Sequence, residues 1–260
     1  SGSRLREERP PTGEERQAAT RIAKAMDRAK YRDREVRQTG VAVPPGRLKV
    51  GQAMQGQAAR SLGAEAKTRP WRQKKRVHVD DPTLSVGIMC DVSGSMSAAM
   101  EPIGVSAWLM SEASRRIQGK AAAVYYGKSA FPVLKPGEHM SAVPIYTAPD
   151  GSHRFDDACR ALDGGHNLLE GSGARILVVC SDGYYETEQM ESVVKWLKRC
   201  IAKGVGVVWL SYKGRDQGEI YCHEAGPGAE YVHVSAGPVA AADAIGLACI
   251  RALAVAGRGD

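Results

Sequence analysis

The stretch from Leu84 to Met96, which reads LSVGIMCDVSGSM, decides what kind of fold this chain has. Its first half is a mostly apolar run without strict alternation, which is typical of a strand buried on both faces of a sheet. Its second half, from Asp91 to Ser95, supplies one carboxylate, two hydroxyls and a glycine. Small and polar residues after a buried strand lie where open α/β sheets bind ligands. We therefore expect a functional site at this strand end.

The C-terminal two thirds of the chain alternates between amphipathic helices and apolar strands. The predicted strands cover residues 84–90, 121–127, 130–134, 175–181, 204–212 and 231–235. The predicted helices cover residues 98–118, 156–162, 186–203 and 238–255. This alternation favours an α/β fold with a doubly wound, mainly parallel, Rossmann-like sheet that is covered by helices on both faces.

The N-terminal third differs from the rest in charge. Residues 1–80 contain 20 Lys and Arg against 9 Asp and Glu, whereas residues 81–260 contain 16 against 20. The net charge of +7 therefore combines +11 in the first part with −4 in the second. We predict a disordered segment over 1–11, a basic helical extension over 12–68 and the α/β domain over 69–256.

The basic extension contains two predicted helices. The first runs from about residue 13 to 38 and begins with a capping box, in which Thr12 is the N-cap and Glu15 follows three residues later. The second runs from about residue 50 to 62. Turn residues between the segments 72–79 and 84–90 favour a β-hairpin made of these two segments.

Composition also bears on where the protein works. No run approaches the roughly 18–20 apolar residues that a membrane span needs. The six cysteines contain no Cys-x-x-Cys pair, and Cys90 and Cys180 lie in predicted core strands. Buried free thiols are typical of a reducing compartment. We therefore expect a cytoplasmic protein that does not contact a membrane.

A second predicted strand also ends in polar residues, at the Ser-Asp-Gly stretch 181–183. Because the carboxyl ends of neighbouring parallel strands meet at one edge of a sheet, Asp91 and Asp182 should lie close together. With the hydroxyls of Ser93 and Ser95 they form an all-oxygen donor set, which Mg²⁺ and Mn²⁺ prefer. The sequence therefore predicts a Mg²⁺ or Mn²⁺ site with these four side chains.

The two motifs, Asp-x-Ser-x-Ser after a first buried strand and Ser-Asp-Gly after a later one, resemble those of the von Willebrand factor A (vWA) domain, over roughly residues 84–255. The resemblance implies a metal-ion-dependent adhesion site (MIDAS). In it, Ser93 and Ser95 would bind the metal directly, and Asp91 and Asp182 would bind directly or through waters. It further implies that a carboxylate of a partner protein completes the coordination shell, so that the site binds protein and is not catalytic.

One motif of the family has no close counterpart. The third loop of the family reads Gly-Gly-Thr-x-hydrophobic-x-x-Ala, and the best match here is 151–158, which has His153 in the threonine position. Ser152, His153 and Asp156 are therefore candidates for further metal ligands. A rival alignment at 164–168 also has a histidine in that position.

Within the family, the chain resembles the intracellular branch. This branch contains vWA subunits of cobalt and magnesium chelatases and vWA proteins that pair with MoxR-type AAA+ ATPases. The basic segment 71–79, ahead of the metal-site strand, is similar to the cobalt-chelatase subunit. The resemblance implies a non-catalytic adaptor whose Mg²⁺ or Mn²⁺ is completed by an acidic residue of an AAA+ ATPase.

Two alternatives stay open from the sequence. Basic residues at 21–37 and 69–76 can contact phosphates, so the chain could bind RNA or DNA through its N-terminal region beside a structural vWA domain. A Mg²⁺-dependent phosphatase of the haloacid dehalogenase class also places an Asp at the end of its first strand. That class usually carries a second Asp two residues later, where this chain has Ser93.

Overall fold

The structure, a computed structural model, describes residues 4–32, 37–41, 47–63, 68–75, 83–147, 154–212 and 217–256. Contacts divide the chain into two compact units. The described residues of 1–30 and 82–260 form the first unit, and those of 31–81 form the second. The sequence predicts a boundary elsewhere, between residues 68 and 69.

In chain order the described strands are β1 (Arg4–Arg9), β2 (Arg37–Val41), β3 (Arg47–Leu48), β4 (Trp71–Lys75), β5 (Leu84–Asp91), β6 (Lys120–Tyr126), β7 (Ala130–Leu134), β8 (Val143–Thr147), β9 (Ala174–Cys180), β10 (Val205–Ser211) and β11 (Ala229–His233). The described α-helices are α1 (Gly13–Arg32), α2 (Val50–Ser61), α3 (Met100–Arg116), α4 (Phe155–His166), α5 (Thr187–Ala202), α6 (Gly218–Ala225) and α7 (Ala242–Ala256). A 3₁₀ turn covers Gly94–Ala99. Within the described ranges, no helix is both long enough and apolar enough to cross a membrane.

Six strands form the central sheet of the first unit, in the order β11-β10-β9-β5-β6-β7. The five strands from β11 to β6 are parallel, and β7 runs antiparallel to β6 at one edge. Helices pack on both faces. The predicted doubly wound, Rossmann-like α/β fold is therefore confirmed. Because β5 lies between β9 and β6 and is covered on both faces, its side chains form an apolar run.

Two separate apolar cores pack the two faces of the sheet. Ile88 of β5 belongs to a core that includes residues of α1, α3 and α7, whereas Met89 belongs to a core with α4, α5 and α6. Successive residues of a strand point to opposite faces, so β5 contributes to both cores. The end of β5 is therefore held in place by packing from either side.

Residues 4–9, which the sequence predicts to be disordered, form strand β1, which pairs antiparallel with β8. The guanidinium of Arg9 donates to both carboxylate oxygens of Glu15, at 2.7 and 3.1 Å, and to Glu101 at 2.8 Å. The prediction of disorder is wrong because this charged segment pairs with β8 and with Glu101, which are far away in the sequence, and composition alone does not reveal such contacts.

The predicted capping box at the start of α1 is confirmed. The backbone N–H of Glu15 donates to Thr12 Oγ1 at 3.2 Å, and the backbone N–H of Thr12 donates to the Glu15 carboxylate at 2.7 Å. The apolar stripe of α1 is fully buried at Ile22 and Met26. Residues of this helix thus form part of the core of the first unit, and the helix ends at Arg32, earlier than predicted.

The second unit contains helix α2 and a small antiparallel sheet of order β2-β4-β3. β4 pairs with β2 and β3, while β5 pairs with β6 and β9, so the predicted hairpin of segments 72–79 and 84–90 is wrong. The end of the predicted first helix lies in β2 instead. Local turn signals missed this pairing because β2 and β4 are distant in sequence.

Helix α2 covers most of the second predicted helix, but its apolar residues are exposed. Val50, Met54 and Leu62 keep 63%, 67% and 84% of their surfaces accessible, respectively. The apolar spacing that predicted the helix therefore does not mark a buried face.

Candidate metal centre

The two predicted polar strand ends lie side by side at the centre of the sheet. β5 and β9 are adjacent and parallel, and Cys90 is the register partner of Cys180. From β5 the chain continues to β6 on one side, whereas β9, β10 and β11 extend the sheet on the other side. The direction of the connections therefore reverses between β5 and β9, where open α/β sheets bind ligands. Asp91 and Ser181 follow the two cysteines at this edge.

The carboxylate of Asp91 is fully buried and held at both oxygens. Oδ1 accepts a hydrogen bond from the backbone N–H of Ser93 at 3.0 Å. Oδ2 accepts a hydrogen bond from Ser181 Oγ at 2.8 Å. The second bond joins the two strand ends that the sequence motifs mark.

The two serines of the first motif also lie together. Ser93 is fully buried, Ser95 is exposed, and their hydroxyl oxygens are 3.2 Å apart. The backbone N–H of Met96 donates to the carbonyl of Ser93 at 3.0 Å, which begins the 3₁₀ turn ahead of α3. Tight coiling of Gly94 and its neighbours thus brings both hydroxyls near the end of β5.

Asp182 is fully buried in a tight turn after β9. Its Oδ1 accepts a hydrogen bond from the backbone N–H of Tyr184 at 3.2 Å, and its carbonyl accepts one from Gln217 at 3.1 Å. Gly183 has a positive φ of 73°, and a Cβ there would lie 2.8 Å from the backbone nitrogen of Gly218. The glycine of the second motif is therefore required by the backbone.

Behind the site lies a chain of buried hydroxyl groups that the sequence analysis missed. Ser181 Oγ accepts hydrogen bonds from the Tyr185 hydroxyl at 2.9 Å and from the backbone N–H of Gly183 at 3.0 Å. The hydroxyls of Tyr185 and Tyr126 are 2.7 Å apart. The only signal for Tyr126 in the sequence is its place at the end of a predicted strand, where it is the register partner of Asp91.

The two tyrosines in this series of hydrogen-bonded hydroxyls, Tyr126 and Tyr185, stay protonated at neutral pH. Burial raises the pKa of Tyr185 well above its usual value, and the negative charge of Asp91 raises it further. Burial, with additional contributions from Tyr185 and Asp91, also raises the pKa of Tyr126.

Five aromatic rings pack beneath the turn after β9. Phe155 contacts the rings of Tyr126, Tyr185 and Trp209, and Tyr221 stacks on Tyr185 with centroids 6.2 Å apart. Trp209 Nε1 donates to the carbonyl of Ser181 at 2.9 Å, and the Tyr221 hydroxyl donates to the carbonyl of Gly183 at 2.9 Å. Polar groups of the cluster thus fix the backbone of the second motif.

Of the three candidates for the third loop, Asp156 lies among the described residues, whereas Ser152 and His153 lie outside them. Asp156 lies in the first turn of α4 and accepts a hydrogen bond from Ser192 of α5 at 2.5 Å. The rival alignment would place the third loop at residues 164–168. Gly164, Gly165 and His166 belong instead to the last turn of α4.

The side chains at this edge suit a hard cation. In the described part of the chain, no group of three or more His, Cys, Asp or Glu side chains is arranged to hold a metal ion. The predicted donors are of another kind, two carboxylates and two hydroxyls, all offering oxygen. Oxygen donors suit Mg²⁺ and Mn²⁺, whereas Zn²⁺ is usually held by imidazole and thiolate ligands.

Fold and site define a doubly wound α/β protein with a polar centre at the switch point of its sheet. No protein-family model matches the chain, and no curated protein matches it. It is similar to an aerotolerance-related membrane protein from Bacteroides fragilis, with 18% identity, a TM-score of 0.47 and coverage of 64% of this chain and 98% of that one. It is also similar to the conserved hypothetical protein BatB from Bacteroides thetaiotaomicron, with 19% identity, a TM-score of 0.44 and coverage of 64% and 96%.

A third similar structure is the PilB minor pilin from Streptococcus sanguinis, with 12% identity, a TM-score of 0.49 and coverage of 72% of this chain and 66% of that one. At such identities and TM-scores, these similarities define neither a family nor a function for this chain.

Proposed function

We propose that this chain is a divalent-metal-dependent protein-binding module of the vWA type. The observation that carries the proposal is the 2.8 Å hydrogen bond from Ser181 Oγ to Asp91 Oδ2. It connects the ends of β5 and β9, so that the Asp-x-Ser-x-Ser and Ser-Asp-Gly motifs belong to one polar edge. Further support comes from the reversal of the connections at this edge, which favours ligand binding there.

Asp91, Ser93, Ser95 and Asp182 would hold Mg²⁺ or Mn²⁺. Three of these side chains are buried, while that of Ser95 is exposed, so the exposed hydroxyl marks the side from which a partner would approach. A bound cation would supply the positive charge that attracts a carboxylate of the partner protein. The four side chains would fix the position of that cation at the carboxyl-terminal ends of β5 and β9.

We further propose that the partner is an AAA+ ATPase of a chelatase or MoxR-like assembly, and that the chain itself is not catalytic. Support for the ATPase is the sequence resemblance alone. The phosphatase alternative has less support, because that class usually carries a second Asp two residues after the first as a general acid, and this chain has Ser93 there.

Affinity capture from a lysate of the source cells tests this function. The wild-type chain would be run with Mg²⁺ and with EDTA, beside Asp182→Asn with Mg²⁺. Asp243→Asn is the matched control, because Asp243 is an exposed carboxylate on α7 that pairs with Arg21 at 2.9 Å. We expect an AAA+ ATPase that is retained by the wild type and by Asp243→Asn with Mg²⁺, and that is lost with EDTA and in Asp182→Asn. Retention of the same proteins under all four conditions would contradict a metal-dependent function.

Nucleic-acid binding is a second candidate, and the distribution of charge favours it. Residues 31–81 contain 12 Lys and Arg against 5 Asp and Glu, a net +7, while the remaining residues balance 24 against 24. In the small sheet, Arg47 is the register partner of Arg72, and Arg37 is the register partner of Lys75. Both register pairs join two basic residues, and a concentration of basic residues in one unit is what phosphate binding requires.

The second unit contains the predicted stretch 69–76 and residues 31–37 of the other predicted stretch, and it is a better candidate for this binding than residues 21–30. On α1, Arg21 pairs with Asp243 at 2.9 Å and Lys30 pairs with Asp27 at 3.1 Å. Fluorescence anisotropy of a labelled single-stranded oligonucleotide tests the candidate. We expect binding that weakens steeply between about 50 and 200 mM salt and is reduced by Arg47→Glu but not by Lys195→Glu, a surface control on α5. Equal binding by both variants would contradict a role for the second unit.

A further inference from the structure

We propose that Ser181, Tyr185 and Tyr126 are positioning residues that orient the Asp91 carboxylate for its cation. The inference rests on the proposed metal-binding function and deepens it. It predicts that the metal affinity of the site depends on hydroxyl groups that lie behind the ligands and do not contact the cation.

The direction of the hydrogen bonds carries the first step. Ser181 donates its single hydroxyl proton to Asp91 Oδ2, and Tyr185 donates its own to Ser181 Oγ. Since the proton of Tyr185 is used in this way, Tyr126 is the donor in the 2.7 Å contact between the two tyrosine hydroxyls. All three protons therefore point along one path toward Asp91. Chains of hydrogen bonds with one direction polarise each other and strengthen the last bond.

Packing and backbone hydrogen bonds hold these hydroxyl groups in fixed positions. The ring of Tyr185 lies among Phe155, Trp209 and Tyr221, with centroids 5.6, 6.5 and 6.2 Å away. Ser181 is fixed as well, because Trp209 Nε1 donates to its carbonyl and its N–H donates to the carbonyl of Leu210. A donor that cannot move holds its acceptor in one orientation, so the path presets the torsion of the Asp91 carboxylate.

A preset carboxylate matters for a metal site. Mg²⁺ demands near-octahedral geometry, so a ligand that rotates freely must be ordered when the cation binds. Hydrogen-bond partners behind metal ligands typically change metal affinity about 10–100-fold when they are removed. The hydroxyls of Ser181, Tyr185 and Tyr126 are hydrogen-bond partners of this kind, because they lie behind Asp91 and do not bind the cation. Removing one of them should weaken cation binding without removing a ligand.

The test is a Mn²⁺ titration of the full chain, in which electron paramagnetic resonance measures free Mn²⁺. The variants are Ser181→Ala, Tyr185→Phe and Tyr126→Phe. Tyr125→Phe is the matched control: Tyr125 is also buried in β6, and its hydroxyl has no hydrogen-bond partner among the described residues. Thermal melts in EDTA measure what each substitution does to folding in the absence of metal.

We expect the affinity for Mn²⁺ to fall about tenfold or more in Ser181→Ala and roughly threefold to tenfold in Tyr185→Phe, with a smaller loss in Tyr126→Phe. The control should bind as the wild type does, whatever its melting temperature in EDTA. A graded loss along the path is a result that a merely structural role would not produce.

Two results would overturn the inference, and they are distinguishable. If the wild type binds Mn²⁺ and Tyr185→Phe binds it equally well, the hydroxyl path does not position Asp91, while the proposed function stands. If the wild type itself takes up no Mn²⁺, the inference fails together with the proposed metal site.

Discussion

The polar edge between β5 and β9 and the second unit, residues 31–81, differ in which side chains they bury. At the edge, Asp91, Ser93 and Asp182 are fully buried and their hydrogen bonds are fixed. In the second unit, apolar side chains such as Met54 are exposed, and the whole net charge of the chain is collected there. The first region is held by hydrogen bonds within the fold, whereas the second exposes apolar side chains and carries the excess positive charge.

The largest expected contrast in stability compares a buried methionine of the first unit with an exposed methionine of the second unit. Met26 of α1 is fully buried in the core of the first unit, while Met54 of α2 is 67% exposed. We expect Met26→Ala to lower the free energy of unfolding by about 2–5 kcal/mol, since it leaves a cavity. Met54→Ala should change it by less than about 0.5 kcal/mol. Urea denaturation of both variants measures the contrast, and equal losses would show that α2 is packed in solution.

A smaller contrast concerns two carboxylates of the first unit. Asp91→Ala leaves the Ser93 N–H and the Ser181 hydroxyl without their acceptor in a buried place, so we expect a loss of about 1–3 kcal/mol even in EDTA. Asp156→Ala should cost less, because Asp156 is partly exposed on α4. Urea denaturation in EDTA, followed by circular dichroism, compares them. If Asp91→Ala proves to be the more stable of the two, the hydrogen bonds at the edge do not hold the strand ends together.

The smallest expected effect is a pH dependence away from both regions. Glu112 of α3 is buried, which disfavours its charge, but hydrogen bonds from Arg115 and Arg116 outweigh this and lower its pKa to about 2. His139 Nε2 also lies 3.4 Å from its carboxylate. The pKa of Glu112 is therefore lower in the folded chain than its value of 4.5 in the unfolded chain. Its charged carboxylate stabilises the fold above pH 4.5, and this stabilisation is lost as the pH falls from about 4.5 toward 2.

For Glu112 we expect about 1 kcal/mol, since water screens the two arginines. The free energy of unfolding of the wild type and of Glu112→Gln, measured by urea denaturation between pH 6 and pH 3, should converge as the pH falls. Parallel curves would mean that this carboxylate titrates alike in the folded and unfolded chains.

The comparison also explains which features the sequence could predict. β5, β9 and β10 lie within about two residues of their predicted bounds, because strands buried on both faces must be apolar throughout. The placement of Asp91 and Asp182 after neighbouring parallel strands followed from the same logic, since the ends of parallel strands share one edge. That these residues hold a cation stays a prediction. Each strand was recognised from a pattern that lies within one short segment.

The missed features depend on contacts between distant segments. β1 reads RLREER, which has no strand pattern, and it forms because β8 offers a partner and Glu15 and Glu101 accept from Arg9. Tyr126 and Tyr185 are 59 residues apart, and only the packing of the sheet brings their hydroxyls together. No local periodicity marks such contacts.

The most direct test of the central claim is a Mn²⁺ titration of the wild-type chain and of Asp91→Asn, a variant that keeps the shape of the side chain but removes its charge. Electron paramagnetic resonance of free Mn²⁺ gives the number of sites and their affinity. We predict one Mn²⁺ per wild-type chain, displaced by Mg²⁺, and no such site in Asp91→Asn. Equal uptake by both proteins, or no uptake by the wild type, would contradict a cation site at the edge between β5 and β9.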